Sequence, residues 1–387
     1  MTIDQNQHLA LDVIPFSMPY SSSNELANVS EVLRSGHVHG DGIFTERATE
    51  RLLDITTAHH VLLTTSGTHA LEMASLLLDI TDGDEVILPS FTFPSAADAV
   101  ARTGATCVFV DIDPATGNID PQQVSEAVTP QTKVISVMHY GGVPVELDAL
   151  LSIARDHDLP IIEDNAHGLG GSIGQHRLGT VGVLAAQSFH DTKNVHCGEG
   201  GALLINDPSL VERAEIMREK GTNRSQFLRG QVDKYSWVEV GSSYLMSELN
   251  AAVLDSQLEA FDVIQHARFG VWDRYSLELE EWAGENGVRR MSPPRGIHSA
   301  HVFYLVMPDW ESQTSLITHL RAAGIIATFH YVPLDTSPAG RRYGRVLRPL
   351  TQSEDFSRRI VRLPLWAGMP EDYVTRVIAA VREFPGR

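Results

Sequence analysis

Between about residue 60 and residue 205, short apolar runs alternate with stretches whose apolar residues recur every three or four positions. The short runs predict buried strands and the longer periodic stretches predict helices. Because the strands are apolar on both sides, they are typical of an α/β domain with a mostly parallel sheet between helices. Seven strands are predicted, at residues 61–64, 85–88, 106–110, 133–137, 160–163, 185–189 and 202–205. Helices are predicted between several of them, at residues 68–79, 94–103, 121–128 and 147–157.

The pattern changes toward the C-terminus. Residues 245–279 predict long helical sequence, with Gly270 as a candidate interruption. We therefore predict a large α/β domain over residues 14–255 and a small α+β domain over residues 256–387. The elements predicted for the small domain are a strand at 302–306, a helix at 315–323, a strand at 325–329 and a terminal helix near 372–383.

The composition narrows the class of protein. A formal net charge of −19 argues against binding to nucleic acid or to an anionic membrane surface, since both attract positive charge. No window approaches the roughly 18 consecutive apolar residues of a membrane helix, and the first residues lack the plan of a secretory signal. Two cysteines make no disulfide framework. We expect a cytoplasmic enzyme.

Seventeen histidines raise the question of a metal site. His37 with His39 and the pair His59 and His60 are the obvious candidates. However, neither a His-Glu-x-x-His nor a Cys-x-x-Cys spacing is present in the sequence. We predict no metal site.

Asp164 and Lys193 each follow a predicted strand, at the sheet edge where α/β proteins bind their ligands. This pair suits pyridoxal 5'-phosphate (PLP). The cofactor needs a lysine that forms a Schiff base with its aldehyde and a carboxylate that keeps its ring nitrogen protonated. Lysine is usually a solvated surface residue, but this chain has only four, against 26 arginines. Only Lys193 lies between a short apolar strand and a glycine-rich turn.

Residues 65–71 (Thr-Ser-Gly-Thr-His-Ala-Leu) follow a strand and open a helix. A helix start offers free amides and a favourable dipole to a phosphate, although a capped helix without a ligand has the same sequence pattern. Together with Asp164 and Lys193, the segment predicts a phosphate site. Its donors would be the amides of Gly67 and Thr68, with the hydroxyl of Ser188.

Two further segments carry candidate contacts. In Pro-Ser-Phe-Thr-Phe-Pro, residues 89–94, one aromatic is expected to pack in the core, and we predict that Phe93 stacks on the pyridine ring. Residues 218–234 carry five basic side chains against two acidic ones. Such a cluster is either a solvated face or a site for phosphate or carboxylate groups, and it suggests a substrate that carries a diphosphate. Neither a Rossmann glycine motif nor a P-loop is present in the sequence.

These motifs together resemble the sugar-nucleotide aminotransferases of the DegT/StrS family, from about Ile14 to the C-terminus. A narrower similarity links four segments to the dTDP-4-oxo-6-deoxyglucose 4-aminotransferases, at residues 220–227, 229–237, 241–248 and 329–333. The resemblance implies the fold type I aminotransferase architecture, PLP as the cofactor, L-glutamate as the amino donor and a homodimer with shared active sites. The motifs that carry it are Gly67-Thr68, residues 89–93, Glu163-Asp164, Ser188-Phe-x-x-Thr-Lys193-Asn and residues 198–201.

The resemblance also implies roles for single residues. Lys193 is the Schiff-base lysine, Asp164 the partner of the ring nitrogen, and Phe93 the stacking aromatic. Gly67, Thr68 and Ser188 match the phosphate ligands. His167 takes the place of a residue near the cofactor's 3-oxygen.

Many relatives have an asparagine where this chain has Ser243, and that asparagine reaches the PLP phosphate of the partner subunit. Ser243 is therefore the candidate for this contact. The candidates for binding nucleotide and sugar are Arg224, Arg229, Lys234, His330 and Tyr331.

Several alternatives stay open at this point. Related sugar 3-dehydratases have a histidine in place of the Schiff-base lysine, and Lys193 argues against that activity. An aminotransferase acting at C3 of the sugar and a non-catalytic regulatory protein are the other readings. The configuration of the product at C4, galacto or gluco, and the pathway that uses it, surface polysaccharide or antibiotic, stay undecided.

Overall fold

The structure is a computed structural model that describes residues 13–385. Residues 1–12, on which the prediction about secretion rests, and residues 386–387 of the predicted small domain lie outside the described residues. Within residues 13–385 thirteen strands form three sheets: β1 (His60–Thr64), β2 (Glu85–Pro89), β3 (Thr106–Val110), β4 (Thr132–Met138), β5 (Ile161–Asp164), β6 (Ser172–Ile173), β7 (His176–Arg177), β8 (Leu184–Ser188), β9 (Gly201–Ile205), β10 (Arg289–Arg290), β11 (Phe303–Val306), β12 (Gly344–Val346) and β13 (Ile360–Leu363).

The large sheet has eight strands in the order β1-β9-β8-β5-β4-β2-β3-β12. Strand β9 runs antiparallel to β1 and β8, and the other neighbours pair in parallel. All seven predicted strands are present. The eighth, β12, was missed because its three residues are too few to show a pattern. It comes from the C-terminal part of the chain, and Gly344 lets it pack closely, since a Cβ there would lie 2.4 Å from the ring of Phe109.

Helices cover the sheets and connect their strands. None of the helices in residues 13–385 is long and apolar enough to cross a membrane. The α-helices of the described residues are α1 (Glu25–Ser35), α2 (Ile43–Thr56), α3 (Gly67–Leu77), α4 (Pro94–Ala101), α5 (Pro121–Ala127), α6 (Leu147–His157), α7 (Val211–Arg218), α8 (Arg224–Leu228), α9 (Glu248–Glu259), α10 (Phe261–Glu278), α11 (Glu280–Glu285), α12 (Trp310–Ala322), α13 (Pro338–Tyr343), α14 (Thr351–Arg359) and α15 (Glu371–Glu383).

Two predictions for the C-terminal half were wrong. The interruption predicted at Gly270 does not exist, because α10 continues through this residue and the break falls at Ala260, between α9 and α10. The strand predicted at residues 325–329 is absent. Its backbone makes only single bridges to two different segments, Ile325 to Ile14 and Thr328 to Arg362, so no continuous ladder forms.

An aromatic cluster joins the two larger sheets. Phe91 follows β2 and Tyr140 follows β4, both at the carboxyl ends of parallel strands. They contact Phe356 of α14, which also contacts Tyr304 of β11, with ring centroids 5.0–6.2 Å apart. Such aromatic pairs contribute roughly 0.5–1.5 kcal/mol each beyond their buried area. The antiparallel sheet β10-β11-β13 is thereby held beside the carboxyl edge of the large sheet.

Candidate active site

Lys193 lies in a tight turn after β8. Its amide donates to the carbonyl of His190 at 2.9 Å, and the amide of Cys197 returns to the carbonyl of Phe189 at 2.9 Å. The turn places the lysine side chain at the carboxyl edge of the sheet, between two adjoining cavities. We call them the inner cavity, of about 480 Å³, and the outer cavity, of about 470 Å³; both are lined by Lys193.

The inner cavity is built from the ends of β5 and β8 and the start of α3. It gathers seven of the eight residues predicted to bind the cofactor. These are Gly67, Thr68, Phe93, Asp164, His167, Ser188 and Lys193.

The start of α3 has the properties of a phosphate site. Ser66 caps the helix by accepting a hydrogen bond from the amide of His69 at 3.1 Å, so the amides of Gly67 and Thr68 lie in the preceding turn. Gly67 packs directly on the end of β8. A Cβ at position 67 would lie 2.9 Å from the Cβ of Ser188. Glycine therefore lets the helix start and the Ser188 hydroxyl approach one phosphate together, as PLP requires.

Asp164 is buried at the end of β5 and lines the inner cavity. Its Oδ1 accepts a hydrogen bond from the amide of Ala166 at 3.1 Å. Burial raises the pKa of Asp164, against the opposing effects of that amide and of Lys193. A cationic ring nitrogen in the cavity would supply the charge that favours the ionised carboxylate. The residues present thus fit the predicted cofactor.

Lys193 has the chemistry of a nucleophilic amine. Burial lowers its pKa to about 8, although Asp164 acts in the opposite direction. A sizeable fraction of the amine is then neutral near neutral pH, and the neutral amine is the form that attacks a carbonyl. An exposed lysine, with a pKa near 10.4, would be almost entirely protonated.

A buried carboxylate supports the strand that carries Asp164. Glu163 accepts hydrogen bonds from His139 at 2.8 Å and from the amides of Gly179, Val181 and Gly182 at 2.7–2.8 Å. Burial alone would raise the pKa of Glu163, but the hydrogen bonds from His139 and the amides outweigh it and lower the pKa. The motif containing Glu163 was recognised in the sequence, whereas its bond to His139 was not, because the two residues lie on different strands.

The outer cavity contains His330 and Tyr331, two of the predicted substrate ligands. Tyr331 lies 3.5 Å from Nε2 of His167, and the ring of His167 stacks on His301 with centroids 4.0 Å apart. Burial, together with the nearby His301, lowers the pKa of His167 well below its ordinary value, so the imidazole is neutral. His301 belongs to the outer cavity but was not predicted, since no motif surrounds it.

Four predicted residues lie outside both cavities of the single chain. Ser243 forms an isolated bridge with Glu219, and Arg224 pairs with the same glutamate at 3.0 Å. Arg229 forms an ion pair with Glu215 at 2.6 Å. Lys234 is exposed. Their assignment to a partner subunit's site or to a substrate stays a prediction.

The candidate metal ligands are placed as follows. His37 and His39 stack on each other, with centroids 4.0 Å apart. Across residues 13–385, no group of three or more His, Cys, Asp or Glu side chains could hold a metal ion.

Comparison with known proteins identifies the family to which this arrangement belongs. A model of the DegT/DnrJ/EryC1/StrS aminotransferase family matches residues 19–382. The spore coat polysaccharide biosynthesis protein SpsC of Bacillus subtilis (strain 168) is 31% identical over 378 residues, which are 96% of either chain.

Solved structures share the fold. The aminotransferase TlmJ from Streptoalloteichus hindustanus superposes with a TM-score of 0.88 at 29% identity, covering 96% of this chain and 98% of its own. S. venezuelae DesV, solved in complex with a ketimine intermediate, gives a TM-score of 0.86 at 32% identity with the same coverage. The family resemblance and the α/β aminotransferase fold predicted from the sequence are confirmed.

Proposed function

Because this chain belongs to the DegT/DnrJ/EryC1/StrS aminotransferase family, we propose that it transfers the amino group of L-glutamate to C4 of dTDP-4-oxo-6-deoxyglucose. It is a PLP-dependent sugar aminotransferase, and the donor, the nucleotide and the position on the sugar are the proposed parts. The observation that carries the proposal is the meeting of Lys193, Asp164 and the start of α3 in the inner cavity. The narrower choice of substrate is supported by the four sequence segments that resemble the 4-aminotransferases.

Bound PLP supplies an aldehyde that bonds covalently to amines and a ring that takes up electrons. The amides of Gly67 and Thr68 and the hydroxyl of Ser188 would hold its phosphate. The carboxylate of Asp164 would keep the ring nitrogen protonated, since a nearby negative charge favours the cationic form. Phe93 lines both cavities with its ring half-exposed, so it is available to cover one face of the cofactor.

Lys193 serves as the proton carrier at the reacting carbon. In the first half of the reaction, its neutral Nζ takes a proton from the carbon of glutamate that bears the nitrogen, and 2-oxoglutarate leaves. In the second half, the protonated Nζ returns a proton to C4 of the sugar. A pKa of about 8 suits both tasks, because each protonation form is populated near neutral pH.

A second copy of the chain is part of the proposal. The segment that follows α7 exposes large apolar side chains beside the three basic residues that lie outside the cavities. Trp237 in this segment is 76% exposed. Apolar area of this kind marks a surface that another protein covers, and we assign it to a homodimer. The exposed apolar side chains are Phe227, Leu228, Tyr235, Trp237, Val238 and Val240.

SpsC is named for the biosynthesis of spore coat polysaccharide, and this similarity supports a role in polysaccharide precursor synthesis. The test of the proposal uses the purified yellow protein. L-glutamate should bleach the cofactor band, and dTDP-4-oxo-6-deoxyglucose should restore it. NMR of the sugar product then distinguishes amination at C4 from amination at C3 and gives the configuration at C4. A protein whose cofactor band is unchanged by any amino acid would contradict the proposal.

A further inference from the structure

The outer cavity is cationic in a chain that is acidic overall. The chain carries a formal charge of −19, yet no aspartate or glutamate of the described residues lines this cavity. Its titratable lining consists instead of Lys193, two arginines, three histidines and one tyrosine. Such a lining attracts an anion into the space beside the reactive lysine.

The histidines and one of the arginines do not account for the anion. Burial lowers the pKa of His167, His301 and His330 well below the ordinary value, so these rings are neutral. Arg268 donates to the backbone carbonyls of Ala300 at 3.0 Å and of His301 at 2.6 Å. Its guanidinium is therefore engaged in holding the segment that carries His301.

Arg362 differs from the other arginines near the site. It lies in β13, where its backbone pairs with Thr328 through bonds of 2.7 and 3.2 Å, so its Cα is firmly placed. Its Nη2 donates to the carbonyl of Phe329 at 3.2 Å, and its Cζ lies 4.6 Å from the ring centroid of Phe16. The buried Nε has no hydrogen-bond partner.

The contrast with a paired arginine shows what Arg362 lacks. Arg345 donates from Nε and Nη2 to both oxygens of Glu85 at 2.7 and 2.8 Å. Arg362 has the same fork of donors but, among residues 13–385, it forms no ion pair with a carboxylate; the charged neighbours that affect its pKa are the hydroxyls of Tyr140 and Tyr331. A buried guanidinium without a counter-ion is costly unless a ligand supplies one.

We propose that Arg362 binds the α-carboxylate of the amino donor, which restricts the donor to α-amino acids. This inference rests on the proposed function. The α-carboxylate is attached to the reacting carbon and must therefore lie beside Lys193, within the cavity that Arg362 also lines. A planar guanidinium with free Nε–H matches a carboxylate with two parallel hydrogen bonds. The diphosphate of a sugar nucleotide is separated from C4 by the sugar ring, so it would reach this position less directly.

The test separates the two halves of the reaction. Bleaching of the cofactor by L-glutamate measures the first half, and return of the band on addition of sugar nucleotide to the aminated enzyme measures the second. In Arg362→Met, loss of a charge-assisted hydrogen-bonded pair of about 1.5–3 kcal/mol should raise the glutamate concentration needed for half-maximal rate by roughly 10- to 100-fold. The second half should change by less than about threefold, which also shows that the variant is folded. Arg362→Lys should recover part of the loss.

Donor analogues identify which carboxylate is bound. L-2-aminobutanoate has the α-carboxylate alone, and 4-aminobutanoate has only the distal one. Arg362→Met should slow the reaction of L-2-aminobutanoate as much as that of L-glutamate, and leave any reaction of 4-aminobutanoate unchanged. Arg358→Met, which removes an exposed arginine paired with Glu354, serves as the matched control.

A readout without turnover is competition by glutarate, which has no amino group. Glutarate should protect the wild-type cofactor from bleaching and should protect Arg362→Met much less. Equal loss in both half-reactions, or an unchanged glutamate dependence, would overturn the inference while leaving the proposed function intact. A wild-type protein that reacts with no amino acid would overturn both.

Discussion

Nε2 of His139 donates a hydrogen bond of 2.8 Å to Oε2 of Glu163, and both side chains are completely buried. Glu163 and Asp164 are neighbours in β5, so their side chains lie on opposite faces of the strand. On one face, Glu163 holds the amides of residues 179–182. On the other, Asp164 lines the inner cavity. The buried pair thus fixes the strand whose last residue contacts the cofactor.

Replacing Glu163 by glutamine should destabilise the protein by about 3 kcal/mol, since the new amide would point N–H groups at neighbouring N–H donors. Unfolding of the cofactor-free protein in urea measures the loss. Glu126→Gln, at an exposed ion pair with Arg348, is the control and should change stability by less than about 1 kcal/mol. If both variants lost the same stability, the structural role of Glu163 would be refuted.

Capture of PLP by cofactor-free protein should depend on pH through Lys193. Its pKa of about 8 lies below the ordinary value of 10.5. Below pH 8 the amine is protonated and unreactive, so the rate should rise about tenfold per pH unit there and level off above pH 8. Asp164→Asn removes a charge that raises this pKa, and the midpoint should therefore move to lower pH. Stopped-flow absorbance gives the rates. A midpoint near 10.5 in the wild type would refute this account of the lysine.

Gly67→Ala should weaken PLP binding by about tenfold or more, because its Cβ would lie 2.9 Å from that of Ser188 and push the start of α3 away from the phosphate. Gly270→Ala is the matched control. Nothing lies within 4 Å of a Cβ at position 270, inside α10, so this change should leave PLP affinity unaltered and stabilise the helix by up to about 1 kcal/mol. Equilibrium dialysis measures the affinities. Equal PLP affinity in the two variants would argue against the proposed phosphate site.

Trp237→Glu should dissociate the proposed dimer and lower the activity, because it places a charge in the exposed apolar segment that a second copy covers. Trp310→Glu is the control, since Trp310 is also exposed but lies on α12, away from that segment. Sedimentation velocity reports the oligomeric state. A dimer that persists in Trp237→Glu and dissociates in Trp310→Glu would place the interface elsewhere.

Much of the large sheet could be predicted because its strands are apolar runs of four to seven residues with helices between them. The short β12 could not, since its three residues pair with β3 only through a long-range contact. The break at Ala260 also escaped prediction. Gly270 was the expected breaker, but an exposed glycine inside a long helix costs only about 1 kcal/mol, which tertiary packing overcomes.

The inner cavity could be predicted for a related reason. Its residues follow strands of one parallel sheet, so their positions in the sequence already place them at one edge. Arg268, His301 and Arg362 reach the outer cavity from the C-terminal part of the chain, and no spacing rule connects them to Lys193. A signal for Arg362 did exist: it is the one charged residue in the apolar run 360–365 (Ile-Val-Arg-Leu-Pro-Leu). A charge inside a buried strand calls for a functional explanation.

The most direct test of the account is to locate the covalent bond to the cofactor. The purified yellow protein is reduced with borohydride and digested, and its peptides are analysed by mass spectrometry. We expect one reduced PLP group per chain, on Lys193, and none in Lys193→Ala. A PLP group on Lys133, Lys220 or Lys234, or a wild-type protein that carries none after incubation with PLP, would contradict the assignment of this active site.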